Sequence, residues 1–241
     1  MEALTSGAVW GALGAIIVAN ILLSGDNAVV IAMAARSLPP HQQRKAIVWG
    51  SAAAIVMRIL LTIGAVQMLQ VPYLKIVGGL ALLWIGVQLL LDSEEEGEVK
   101  ELGTMGAAIR TILIADLVMS IDNVIAVAAA ASRAPEAYRM ILLIIGLATS
   151  IPLIIIGSTL LMKIMERFPI IITLGAALLG WLAGEMLVSD PAIAGWFKAN
   201  LPHADLIFGI GCAVLVVVVG KWLRHRSARA EVDAPMHNSP S

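Results

Sequence analysis

The stretch Leu22-Leu23-Ser24-Gly25-Asp26-Asn27-Ala28 decides how the whole chain is read. It sets a carboxylate and a carboxamide inside a run that is otherwise almost wholly apolar. Asp26 stands about ten residues before Arg36 and about sixteen after Trp10. At about 1.5 Å per helical residue, that places it far from either surface of a bilayer core about 30 Å thick. An ionisable side chain at such depth is costly, so its default reading is functional. The pattern returns as Leu117-Val118-Met119-Ser120-Ile121-Asp122-Asn123-Val124. The rest of the chain reads as scaffold for these two segments.

Composition supports the same frame. Of 241 residues, 59% are hydrophobic and only 14% charged, with a mean hydropathy of +0.91. A soluble domain carries about 25% charged residues. Here the charges cluster in short connectors between long apolar runs, which predicts an all-α, polytopic membrane helix bundle. A transmembrane barrel would show short alternating segments instead. No basic, aromatic-studded soluble segment points to nucleic acid. Cys212 is the sole cysteine, so no disulfide framework is expected. The first apolar run lacks a basic leader and is too long for a signal core, so it reads as a retained span.

About seven spans can be drawn, over 9–36, 45–69, 72–91, 106–132, 138–162, 168–189 and 204–223. Trp10, Trp49, Trp84, Trp181, Trp196 and Trp222 fall near their ends, as interfacial anchors do. Arg36, Arg44, Lys45, Lys100, Arg110, Lys163, Arg167, Lys221, Arg224, Arg226 and Arg229 share one side of this drawing. Lys75, Arg133, Arg139 and Lys198 take the other. The bias in Lys and Arg sets the N-terminus outside and the C-terminus in the cytoplasm. The acidic run Glu94-Glu95-Glu96 reads as a solvated linker.

Shifting the chain by 96 residues lays Asn20 on Asp116, Ser24 on Ser120, Asp26 on Asp122, Asn27 on Asn123, Pro39 on Pro135 and Gly50 on Gly146. One residue further on, Pro72 meets Pro169, Gly78 meets Gly175, Trp84 meets Trp181 and Gln88 meets Glu185. Apolar composition alone does not align polar, Gly, Pro and Trp positions in one register. An odd number of spans per unit makes the copies insert with opposite orientation, the inverted-repeat plan of many secondary transporters. The expected units are a first three-helix repeat over 1–92, an acidic linker over 93–105, a second inverted three-helix repeat over 106–190, a seventh transmembrane helix within 191–226, and a disordered tail over 227–241.

On an ideal helix Asn20, Ser24 and Asn27 share a face, as do Asp116, Ser120 and Asn123. Asp26 and Asp122 would point about 120° away from Asn20 and Asp116, so a locally unwound segment is needed to make the sets converge. Gly25 favours such a break in the first copy; Ile121 stands there in the second. The donors are carboxylate, carboxamide, hydroxyl and backbone carbonyl, a set suited to Mn²⁺, Ca²⁺ or Mg²⁺. No histidine falls within a span and Cys212 is alone, which argues against a zinc or copper centre. The scattered methionines read as packing. The candidate metal residues are Asp26, Asn27, Asp122, Asn123, Asp116 and Asn20. Glu185, Gln88, Ser24, Ser120 and Arg58 are supporting or proton-linked candidates. Arg58, a lone cation in mid-span, should pair with Asp116 or Asp122. Asp116 itself has two readings, a ligand or proton relay and a structural partner of Arg58. Carboxylates that hold either metal or protons would permit cation/proton exchange by alternating access.

With these residues in view, the chain resembles the TerC family of integral membrane proteins, in particular its short, YjbE-like metal-transport branch. The resemblance covers about residues 8–190 and rests on Ser24-Gly25-Asp26-Asn27, Ser120-Ile121-Asp122-Asn123 and the seven-span layout. It implies metal-site roles for Asp26, Asn27, Asp122 and Asn123, Mn²⁺ export as the activity, kinship to LysE-type exporters, and the bacterial cytoplasmic (inner) membrane. Mn²⁺ is then cargo rather than a resident cofactor. The implied partners are that ion and the lipid bilayer, with a homo-oligomer left open. The protein would not be an enzyme. Two alternatives stand beside transport. One is an intramembrane aspartyl protease, which also uses two buried aspartates; here Gly precedes only one of them. The other is a non-transporting membrane partner in a metal or tellurite stress response.

Overall fold

In a computed structural model, residues 7–22, 24–68, 71–92, 104–131 and 136–232 are described. They form ten helices and no strand. The first expected span is two helices, α1 (Gly7–Leu22) and α2 (Gly25–Arg36). Then follow α3 (Pro40–Met68), α4 (Leu74–Asp92) and α5 (Met105–Ala131). The fifth span is interrupted too, as α6 (Glu136–Ala148) and α7 (Ser150–Arg167). After α8 (Ile170–Ser189) comes a short helix, α9 (Ala194–Asn200), and then α10 (Ala204–Val232). The acidic run at 94–96 and the end of the tail lie outside the described residues. α10 runs past Ser227, where the sequence suggests the tail begins.

The chain is an integral, multi-pass membrane protein. Stretches 40–62, 74–91, 138–167, 170–189 and 204–226 are each long and apolar enough to cross a bilayer. α5 has 27 residues and so reaches about 40 Å. Outward-facing apolar side chains recur at helical spacing, as Leu153, Ile156 and Leu160 on α7 and Ile207, Ile210, Val214 and Val218 on α10. These are lipid-facing rows rather than a defect of packing. Five of the six tryptophans are exposed, as anchors should be; Trp181 is not, because its ring lies against Gly209 of α10.

Local sequence explains where the helices start and stop. Pro40 occupies the first turn of α3, where its missing N–H costs nothing. Thr104 caps α5 by accepting the Ala107 N–H at 3.2 Å. Pro169 stops α7 and opens α8. At the α6–α7 interruption, Thr149 and Ser150 donate their hydroxyls back to the carbonyls of Gly146 and Leu147 at 2.7 and 2.6 Å. Pro152 then sits in the first turn of α7, where it can make no backbone N–H bond.

Helices from the two expected units pack across to each other: α1 on α6, α2 on α7, α3 on α5, and α4 on α8. α10 lies outside, against α8 and α4. Glycines set that contact. A Cβ at Gly184 would collide with the Phe208 carbonyl oxygen, and one at Gly180 would meet the Cys212 carbonyl oxygen at 2.6 Å. The Gly180–Gly184 spacing is the small-xxx-small device that lets membrane helices touch along their backbones. Gly184→Leu is therefore expected to push α10 off α8 and cost about 1–3 kcal/mol, read as a lower unfolding temperature in detergent.

A second fastening joins α8 to α4. Asp190, fully buried, accepts the Tyr73 N–H at 2.9 Å, the Ala192 N–H at 2.8 Å, the Lys75 N–H at 3.0 Å and the Ile76 N–H at 3.3 Å. The carboxylate at the end of α8 thus caps the first turn of α4. Tyr73 precedes that turn with φ 69°, an unusual value for a side-chain-bearing residue. Burial by itself would raise the Asp190 carboxyl; the donated N–H groups outweigh it and hold the carboxyl below its ordinary range. A depressed folded-state value means the stabilisation is complete above the unfolded carboxyl value of about 3.9 and is lost as pH falls through the folded value. Asp190→Asn should remove this acid-side slope, and Asp190→Ala should cost about 1–2 kcal/mol through the lost cap. Unfolding temperature against pH for the three proteins checks both.

Candidate functional site

The break between α1 and α2 lies in the segment singled out by sequence. Ser24 is buried and accepts the Ala28 N–H at 3.1 Å, so the new helix starts there. Asp26 falls in the first turn of α2, half-buried, with one carboxylate oxygen accepting the Asn27 N–H at 2.8 Å. A carboxylate at that end of a helix is favoured by the macrodipole. A helix end leaves its last carbonyls without intrahelical partners, so an interrupted span can offer backbone oxygen as well as side chains. Asn27 is buried. The second copy behaves differently: α5 runs unbroken through Ile121, as the absence of a glycine there suggests.

On α5 the face carrying Asp116, Ser120 and Asn123 is buried, as helical spacing requires. Arg58, only 1% exposed, reaches it from α3. Its Nε donates to Ser120 Oγ at 3.0 Å, and a terminal nitrogen donates to Asp116 in a short ion pair. Ser120 Oγ in turn lies 3.3 Å from the other Asp116 oxygen, as donor. Of the two acids open to Arg58, Asp116 is thus a partner, while the side chain of Asp122 lies outside the described residues. Asp26 lies within electrostatic reach of both Arg58 and Asp116. The structure therefore joins Arg58, Asp116 and Ser120 into one buried polar cluster, with Asp26 close enough to feel its charges.

The other candidates divide. The side chains of Asn20 and Asp122 lie outside the described residues. Gln88 is exposed on α4. Glu185 is half-buried on α8, where it accepts the Trp181 Nε1–H at 2.8 Å. It opens on a cleft with Lys75, Ser189, Phe197, Lys198 and His203, so its described contacts are not with Arg58 or Asp116. No group of three or more His, Cys, Asp or Glu side chains stands ready to hold a metal among the described residues. A cation here would draw on carboxylate, amide, hydroxyl and carbonyl oxygens together, which suits a hard ion.

Three features escape the sequence reading. Asp190 is one, signalled only by an acid and a proline directly after an apolar run. The interruption at Thr149 is another, signalled by Thr-Ser-Ile-Pro within a span. The third is Ser158 on α7, fully buried with no hydrogen-bond partner among the described residues. It adjoins Gly157, whose notional Cβ would lie 3.6 Å from Ala28, just behind Asn27.

The chain is similar to several bacterial membrane proteins. The uncharacterized membrane protein YjbE of Bacillus subtilis is 44% identical over 208 residues, covering 84% of this chain and 93% of the relative. YceF of the same organism is 25% identical over 97% of this chain and 90% of its own length. The UPF0053 inner membrane protein YoaE of Escherichia coli is 25% identical over 98% of this chain, which spans 47% of that larger protein. No solved structure matches. The model of the integral membrane protein TerC family matches residues 5–228, and with the YjbE likeness this shows that the chain belongs to the TerC family.

Proposed function

We propose that this protein is a secondary transporter that exports a hard divalent cation, with Mn²⁺ favoured, in exchange for protons. The observation that carries the reading is the helix break at Ser24, which sets Asp26 and Asn27 at a helix start in mid-membrane beside the buried Asp116–Arg58–Ser120 cluster. A structural aspartate has no need of an interrupted helix at that depth, whereas a transported cation needs oxygen ligands from both side chains and freed carbonyls. Packing of each first-unit helix on a second-unit helix supports two interleaved inverted repeats around the site. As a transporter the protein makes and breaks no covalent bond, so it is not an enzyme and carries no resident cofactor. The bias in Lys and Arg favours an outside N-terminus in the bacterial cytoplasmic membrane. Ion flux into proteoliposomes tests the reading, comparing Mn²⁺, Ca²⁺, Mg²⁺ and Zn²⁺ with and without a pH gradient. Saturable Mn²⁺ flux accelerated by an opposing proton gradient is the expected result. No saturable flux of any of the four ions removes the reading.

A further inference from the structure

Arg58 is a permanent cation. It cannot shed its charge when a second cation arrives, and it is buried against the acids that a divalent ion would use. Its described hydrogen bonds include those to Asp116 and Ser120 on the second-unit helix α5, and Asp26 on α2 lies within its electrostatic reach. It therefore ties α3 to the very groups that face the helix break. A divalent ion placed beside Asp26 while the guanidinium still holds Asp116 would meet a like charge in a medium of low dielectric. The two cations exclude each other from Asp116.

On the transport reading given above, on which this rests, we propose that Arg58 is a tethered stand-in for the cargo: its guanidinium neutralises Asp116 when the site is empty and withdraws when the divalent ion binds. Two consequences follow from electrostatics. Arg58 offsets one carboxylate charge of the empty site, which lowers the cost for the unloaded protein to change orientation in the hydrocarbon. Cargo must also compete with a cation of effectively high local concentration, so its affinity stays low enough for release. Arg58 acts on the ion through Asp116 and is a positioning residue rather than a ligand.

The test uses the full chain purified in detergent, with Mn²⁺ titrated against thermal unfolding, and the same proteins in proteoliposomes for flux. The variants are Arg58→Gln and Arg58→Gln/Asp116→Asn. In Arg58→Gln the Mn²⁺ affinity should rise about tenfold or more, the size of a typical coupling between two binding events. Mn²⁺ should restore the unfolding temperature that this variant loses, and Mg²⁺ should do so less. Its flux should show a lower KM and a lower maximal rate, since release now limits turnover. Adding Asp116→Asn should cancel the gain in affinity. A purely structural pair gives the opposite result, an unstable Arg58→Gln protein whose Mn²⁺ affinity is unchanged or weaker, and this overturns the proposal. Failure of Arg58→Gln to fold even in Mn²⁺ also overturns it, because the ion must be able to replace the guanidinium charge. If the tighter binding and its cancellation appear while the wild-type protein shows no saturable flux, the stand-in role survives and the transport reading falls.

Discussion

Asp26→Ala is expected to abolish saturable Mn²⁺ flux while leaving the protein folded. Asp26 is half-buried, and the one hydrogen bond described for its carboxylate is to the neighbouring Asn27 N–H. Losing that local bond costs about 0.5–2 kcal/mol, the range for a helix-start acceptor. The cargo loses far more. A dehydrated divalent ion in hydrocarbon depends on each anionic ligand, and removal of one leaves a site that no longer offsets the ion's desolvation. Flux should fall by about a hundredfold or more, the loss that follows from about 3 kcal/mol of ligand energy at 1.4 kcal/mol per decade. Asp26→Asn should behave similarly, because a carboxamide keeps the shape and the local bond but not the charge. Proteoliposome flux together with unfolding temperature separates loss of site from loss of fold. Retained flux in a folded Asp26→Ala protein, with metal tolerance preserved in cells, would favour the non-transporting partner role instead.

The second large effect is on stability. Asp116→Ala takes from the buried Arg58 guanidinium the ion-pair partner described for it. Breaking one side of a buried pair costs about 3–5 kcal/mol, because the remaining charge is no longer compensated. The loss should exceed that of Asp26→Ala, and it should show as a lower unfolding temperature and reduced recovery from membranes. Replacing both partners with apolar residues of similar size, Arg58→Met with Asp116→Leu, should recover most of the stability, since no charge is then buried. The same double variant should fail to transport. A double variant no more stable than Asp116→Ala would show that the pair is held in place by something other than its own electrostatics.

Much of the fold was legible because bilayers impose a simple rule. Backbone groups in hydrocarbon must be satisfied within helices, so long apolar runs separated by charged connectors read directly as spans. The break before Asp26 was legible as well, since glycine beside a mid-membrane acid marks a place where helical geometry can yield. The pairing of Arg58 was foreseen only as a choice between two acids. Helical periodicity puts Asp116 and Ser120 on one face but does not say which span's arginine reaches that face. The interruption at Thr149 was missed because a proline in the first turn of a helix looks like an ordinary apolar position in a hydropathy reading. The contact of α10 with α8 depends on Gly180 and Gly184 meeting backbone rather than side chains, and no apolar pattern encodes a particular partner. Asp190 was passed over for the same reason: its donors at the start of α4 are backbone N–H groups about 115 residues away in the chain, and they carry no sequence signature.

That last contact bears on how the molecule can move. Four amide hydrogens converge on one side chain where the end of α8 meets the start of α4, and α10 is wedged against both helices from outside. Sliding of one along the other would tear this clasp open, whereas a tilt about it leaves every bond intact. If the protein transports as proposed, the α4–α8–α10 layer is the part that holds still and the interrupted helices are the part that moves.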